Sequence, residues 1–255
     1  MLFRSGANAR AIPFRRMPGK VSTLEHHRAL LAGLKEHRRK RVHSQANDSY
    51  VGSGHLYYDV SVPVRRTLAK KWLKENRSIT DSEFLAVVGS LFRGKSHEEK
   101  TLASILLAYH RSGRKAVGLK QLNAWLDHLV GWAEIDSLCT IFTADEILAN
   151  RREWERFIAA LARHRNINKR RAALVFLTGP IRRSEDKQLA ELGFRTIEVL
   201  KSERAIIITK AVSWLLRSMV THHKRAVAAY IKENHHSLPA VAVRETSRKI
   251  ATGRK

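Results

Sequence analysis

Apolar residues at helical spacing, grouped in units of similar length, constrain this chain more than any other feature. Leu24, Leu30, Leu31 and Leu34 mark a first amphipathic helix that ends in His37-Arg38-Arg39-Lys40-Arg41, and a polar, glycine-containing stretch follows over residues 44–55. Pro63 stands where a second helix would begin; Leu68, Trp72 and Leu73 continue its stripe until Asn76-Arg77-Ser78 breaks it. Thr80 with Glu83 three residues on has the spacing of a capping box, in which each side chain bonds the other residue's backbone N–H. Ser96 caps the run that reaches Tyr109, Gly118 precedes an apolar run over 119–129, and a further pair spans 134–162. Later pairs begin near Asn168 and Glu203. The best strand candidate, residues 205–208 with three isoleucines, leads directly into Lys210, Ala211, Trp214 and Leu215 at helical spacing, so it reads as helix.

Each helix pair occupies roughly 35 to 45 residues, the period of HEAT-like and armadillo-like arrays. The expected fold is therefore all-α: a superhelical array of antiparallel helix pairs with a concave basic face, forming one domain over residues 23–252 behind a basic arm at 1–22. The basic face follows from charge. Lys and Arg total 48 against 23 Asp and Glu, a formal net charge of +25, which favours a polyanionic partner. A membrane is disfavoured because no run of about 18 apolar residues exists. Residues 1–24 carry Arg and Pro where a secretory signal would have its apolar core. The arm has no acidic residue before Glu25, a pattern shared by loose DNA-contacting arms and by organelle-targeting peptides. The single cysteine, Cys139, excludes an internal disulfide and suits a reducing compartment; its neighbours Leu138, Ile141 and Phe142 mark it as buried. A cytoplasmic monomer, associated with the nucleoid if bacterial, is expected.

Trp132 and Asp136 lie four residues apart, so on a helix they share one face, one turn apart. An aromatic face attracts a cation, and a carboxylate in a weakly solvated cleft stabilises positive charge. The same spacing also suits a core anchor beside a solvated acid. The histidine pairs 26–27, 222–223 and 235–236 are adjacent, so on a helix their rings diverge and cannot chelate one ion from one face. His97-Glu98-Glu99-Lys100 lacks the second histidine of a zinc helix. No metal or cofactor is expected. Arg165, Lys169, Arg170 and Arg171 form a basic run suited to phosphate contact, and Trp72, Trp125 and Trp154 sit on apolar stripes as core residues.

Five stretches, in order, carry a resemblance to a known family: Tyr58-Asp59-Val60-Ser61-Val62-Pro63-Val64-Arg65-Arg66, Ser96-His97-Glu98-Glu99, Trp132-Ala133-Glu134-Ile135-Asp136-Ser137-Leu138-Cys139, Arg170-Arg171-Ala172-Ala173-Leu174-Val175 and Thr209-Lys210-Ala211-Val212-Ser213-Trp214-Leu215-Leu216-Arg217. The chain resembles the DNA alkylation-repair (AlkD-like) glycosylases from Tyr57 to about Arg248. The resemblance implies that Trp132 and Trp214 wall a lesion-facing cleft, that Asp136 is the catalytic carboxylate and that Arg171 contacts the DNA backbone. Lys169, Arg170 and Lys210 are further expected DNA contacts. One departure is Asp59, where the family usually has glycine, which puts the local turn in question.

The implied activity is metal-independent hydrolysis of the N-glycosidic bond of positively charged N3- or N7-alkylated purines in double-stranded DNA. The alternative is a non-catalytic HEAT-repeat protein that binds nucleic acid, and Asp136 separates the two, since a pure binder of a polyanion has no need of a carboxylate facing it.

Overall fold

Helix ends are set locally by capping side chains, and these cut the chain into short segments. The structure, a computed structural model, describes residues 21–38 and 52–253; most of the basic arm and of the polar stretch after the first helix lie outside the described residues. Thirteen α-helices form among the described residues: α1 (Thr23–Glu36), α2 (Val62–Glu75), α3 (Asp81–Phe92), α4 (His97–Tyr109), α5 (Arg111–Lys115), α6 (Leu119–Leu126), α7 (Gly131–Cys139), α8 (Ala144–Ala149), α9 (Arg151–Ala162), α10 (Ile167–Arg182), α11 (Lys187–Leu200), α12 (Ile206–Glu233) and α13 (Ala240–Thr252). Reciprocal capping boxes start α1 (Ser22 with Glu25), α3 (Thr80 with Glu83), α4 (Ser96 with Glu99) and α8 (Thr143 with Glu146). Each satisfies two backbone donors that the first helical turn would otherwise leave unpaired.

The helices stack in two layers. In one, α2, α4, α7, α10, α12 and α13 each pack on the next, while α3, α9 and α11 back them from the other side. Between the layers runs one continuous apolar core, from Leu30 and Leu34 through Phe84, Leu107, Ile135 and Phe176 to Val227 and Ala242. Trp72, Trp125 and Trp154 lie in it, each about as buried as an aliphatic core residue, and so does Cys139. Phe176 is fully buried with Phe142, Trp154 and Phe157 around it at ring separations of 5.5 to 6.1 Å, so its removal would cost about 3–5 kcal/mol.

Neighbouring helices of the first layer are joined by polar contacts whose sequence separations echo the repeat. Arg65 reaches Thr101 across 36 residues, His97 meets Glu134 across 37, Arg171 meets Asp136 across 35, and Ser213 meets Glu245 across 32. A near-constant offset of this kind is what stacked, equivalent helix pairs produce.

The loop that enters α2 is held by the buried first turn of α4. Glu98 accepts from the backbone N–H groups of Tyr58 (3.0 Å) and Val60 (3.3 Å), and Lys100 Nζ donates to the carbonyls of Phe92 and Gly94, both at 2.8 Å. Asp59 lies between the two anchored N–H groups with φ 56°, a left-handed conformation that glycine adopts without strain and aspartate tolerates better than most residues. The turn at this position thus holds a residue less suited to it than glycine.

Candidate active site

Helix α7 begins in a conformation only glycine adopts readily. Gly131 has φ 76° and is buried, and its N–H donates to Asn168 Oδ1 at 3.0 Å, which ties the start of α7 to the start of α10. Trp132 follows immediately, half-buried, and Asp136 lies one turn further along the same face.

Asp136 faces α10. Its two carboxylate oxygens accept from Arg171 Nε at 2.8 Å and from Nη2 at 2.7 Å, a bidentate pair that fixes the plane of the carboxylate. The third guanidinium nitrogen, Nη1, donates to the carbonyl of Ile207 in the first turn of α12 at 2.5 Å. One side chain, itself 5 % exposed, therefore links α7, α10 and α12, which follow one another in the first layer. Burial pushes the Asp136 carboxyl above its ordinary value, and the hydrogen bonds and charge of Arg171 pull it back only in part. Trp214 stands two turns along α12 from Ile207, about 10 Å at 1.5 Å per residue, half-buried at the edge of the core.

The opposite face of α7 carries a second acid that sequence reasoning passed over. Glu134 is fully buried and receives Nδ1 of His55 at 2.9 Å, Nδ1 of His97 at 3.2 Å and the N–H of Val130 at 3.0 Å. Burial pushes its carboxyl up, but these hydrogen bonds outweigh that and hold it below the usual range. A carboxylate only accepts, so both rings present Nδ1–H to it. Tyr57 stacks on His97 with ring centres 4.9 Å apart. The cluster fastens the loop before α2 to α4 and α7, so it fixes the rotation of the helix that carries Trp132 and Asp136. Among the described residues no group of three or more His, Cys, Asp or Glu is arranged to hold a metal ion.

The expected DNA-contacting cations are dispersed rather than gathered. Lys169 is 2 % exposed, with Nζ 2.7 Å from Asp127 and 3.0 Å from Asn123 Oδ1, so it is a buried strut and not a surface contact. Arg170 pairs with Glu203 at 2.6 and 3.1 Å and caps the carbonyls of His164 and Arg165 at 2.9 Å, closing the turn between α9 and α10. Arg171 is occupied with Asp136 and Ile207. The physical reason is helix geometry: consecutive residues point about 100° apart, so a run of three cations faces three different surroundings. Lys210 alone of the four is open, its side chain 56 % exposed and 3.9 Å from Glu245.

The fold and this site together define an all-α repeat protein with a buried, arginine-held carboxylate on an aromatic-bearing helix face. The sequence matches the DNA alkylation repair enzyme family over residues 30–250, and the chain belongs to that family. No curated protein matches the sequence. Among solved structures, one titled a predicted DNA alkylation repair enzyme from Enterococcus faecalis is similar with a TM-score of 0.67 and 19 % identity, covering 82 % of this chain and 95 % of that one. That likeness is one of fold. No helix among the described residues is long and apolar enough to cross a membrane.

Proposed function

We propose that the protein is a DNA glycosylase that releases positively charged, N3- or N7-alkylated purines from duplex DNA without a metal. The observation that carries this reading is the Asp136–Arg171 pair: an anion held in a fixed plane, largely out of water, one turn from Trp132.

An alkylated purine of this kind already bears a positive charge, so it needs no general acid to leave. When the bond between C1′ and the purine nitrogen breaks, its electron pair goes to the base and neutralises it, and the sugar is left as an oxocarbenium ion. Asp136 stabilises that cation electrostatically, and water then adds at C1′ and gives its proton to the carboxylate or to solvent. Each oxygen of Asp136 keeps a second lone pair after accepting from Arg171, so the carboxylate can still meet a water or the sugar. In this role Arg171 is a positioning residue, and its reach to the Ile207 carbonyl couples α7 to the helix that bears Trp214. Trp132 and Trp214 would hold the cationic nucleotide by cation–π attraction worth roughly 0.5–2 kcal/mol each.

The test is to incubate the full chain with methylated duplex DNA and assay free bases. Release of 7-methylguanine or 3-methyladenine is expected. Tight binding with no base released would favour a non-catalytic DNA-binding protein instead.

A further inference from the structure

The 3.6-residue period of α12 brings Lys210, Ser213, Trp214 and Arg217 to one face of the helix. Three donors from that face converge on one carboxylate supplied by α13. The Ser213 hydroxyl donates to Glu245 Oε2 at 2.5 Å, Arg217 Nη2 lies 3.4 Å from the same oxygen, and Lys210 Nζ lies 3.9 Å from Oε1. Arg217 Nε also donates to Ser213 Oγ at 3.3 Å, which locks the hydroxyl and the guanidinium together.

A hydroxyl, a guanidinium and an ammonium around a single oxyanion make the donor set of a phosphate site. Ser213 is fully buried at its floor and the Arg217 side chain is 15 % exposed, while those of Glu245 and Lys210 are 30 % and 56 % exposed, so the site opens on the Lys210 side. Burial pushes the Glu245 carboxyl up, but the Ser213 hydroxyl and the charges of Arg217, Lys210 and Arg244 outweigh it and keep the group below the usual carboxylate range, hence anionic at neutral pH.

The spacing sets this cluster apart from the tightly held pairs and matches the looser pairs of Arg195 and Arg151 with Glu155, at 3.3 and 3.6 Å. Arg171 and Arg170 approach their carboxylates to 2.7 and 2.6 Å, and Lys169 approaches Asp127 to 2.7 Å, whereas neither cation here comes closer to Glu245 than 3.4 Å. Glu245 holds Lys210 and Arg217 only loosely, with Arg217 Nε kept on Ser213, so a second oxyanion can take over the side of each cation that faces Glu245.

We propose that Lys210, Ser213 and Arg217 form a binding site for a DNA backbone phosphate, and that Glu245 is an internal stand-in which the phosphate displaces. The site flanks Trp214, with Lys210 one turn before it and Arg217 about one turn after, so the phosphate it takes belongs to the stretch of strand that Trp214 faces. Glu245 thereby weakens binding to all DNA and sets how strongly undamaged duplex is held. The inference rests on the DNA-binding part of the proposed function and is independent of catalysis.

The experiment measures affinity for an undamaged duplex by fluorescence anisotropy between about 50 and 200 mM salt. It uses the full chain as wild type, Glu245→Gln, Arg217→Ala and the double variant, with a thermal melt of each. Glu245→Gln is expected to tighten binding roughly twofold to fivefold, the worth of an exposed ion pair, and to steepen the plot of log affinity against log salt by up to about 0.9. Arg217→Ala should weaken binding, flatten the slope and abolish the gain in the double variant. Unchanged or weaker binding by a folded Glu245→Gln protein would overturn the stand-in. If that variant does not fold, Lys210→Ala and Arg217→Ala decide: both must lower the slope, and wild-type slopes in both would overturn the site. Absence of any DNA binding by the wild type would instead remove the reading on which the inference rests.

Discussion

Arg171→Gln should disable the site through Asp136 rather than through DNA contact. The wild-type guanidinium gives two hydrogen bonds to Asp136 and one to the Ile207 carbonyl while itself 5 % exposed. Glutamine offers two N–H donors on a shorter stem and no charge, so the carboxylate loses its bidentate partner yet stays buried. Breaking a buried pair from one side costs about 3–5 kcal/mol, reduced here because the Asp136 side chain keeps 14 % exposure and Gln can recover one bond, so about 2–3 kcal/mol of stability is expected to be lost. Burial already raises the Asp136 carboxyl against the pull of Arg171, and removing that pull raises it further.

The folded protein therefore binds this proton more tightly than the unfolded chain, and the group subtracts stability as pH rises from the unfolded carboxyl's range through the folded one. On the proposed mechanism activity needs the Asp136 carboxylate, so it should appear over the same window. Single-turnover release of 7-methylguanine, followed from about pH 5 to 9, should show an acid limb above the ordinary aspartate range in the wild type. In Arg171→Gln that limb should lie at still higher pH, with the plateau rate down about a hundredfold. Arg171→Lys keeps charge but not the planar fork, so it should recover the limb more than the plateau. A wild-type rate and an unmoved limb in Arg171→Gln would refute the positioning role.

Three further outcomes follow from other parts of the molecule. Cationic 7-methylguanine should be excised and its neutral, imidazole-ring-opened form should persist in the same duplex, with Trp214→Leu slowing the first reaction without creating the second; equal excision of both forms by the wild type would rule out cation recognition. Asp59→Gly should raise the unfolding free energy by about 0.5–1 kcal/mol in denaturant melts, because glycine suits φ 56° while the flanking N–H bonds to Glu98 remain, and a loss of stability would contradict the strain assigned to that turn. Lys169→Met should cost about 1–2 kcal/mol by removing the bonds to Asp127 and Asn123 yet leave the salt dependence of DNA binding unchanged, whereas a flatter slope would return Lys169 to the DNA surface.

The fold was legible wherever the determining groups are close in sequence. Thr80 and Glu83 form the capping box their spacing suggests, and Ser96 caps α4 as expected, with Glu99 completing a second box there. The run expected to stay apolar and helical to residue 129 stops at Leu126, because His128 and Leu129 turn back onto the carbonyls of Trp125 and Leu126. Such tightening of a last turn leaves no mark in the apolar pattern. The isoleucine-rich segment at 205–208 begins α12, as its continuation into Lys210 and Trp214 indicated.

Of the site, the shared face of Trp132 and Asp136 followed from their spacing, while the partner of Asp136 did not. Helix periodicity gives the length of the repeat and not its phase, so it could not say which residue some 35 positions away would meet the carboxylate. Charge misleads for a related reason. Arg170 and Arg171 are adjacent letters of one basic run, yet one closes a turn against Glu203 and the other holds Asp136, whereas the cluster around Glu245 combines residues 210, 213, 217 and 245 that no run joins.

The central claim is that the Asp136 carboxylate drives bond cleavage, and the most direct measurement compares wild type with Asp136→Asn in single-turnover base release and in DNA affinity, on one duplex bearing 7-methylguanine. Asparagine keeps the size and can still accept from Arg171 but carries no charge, so release should fall about a hundredfold or more while affinity stays within about twofold. Release at the wild-type rate by Asp136→Asn, with affinity unchanged, would contradict the account.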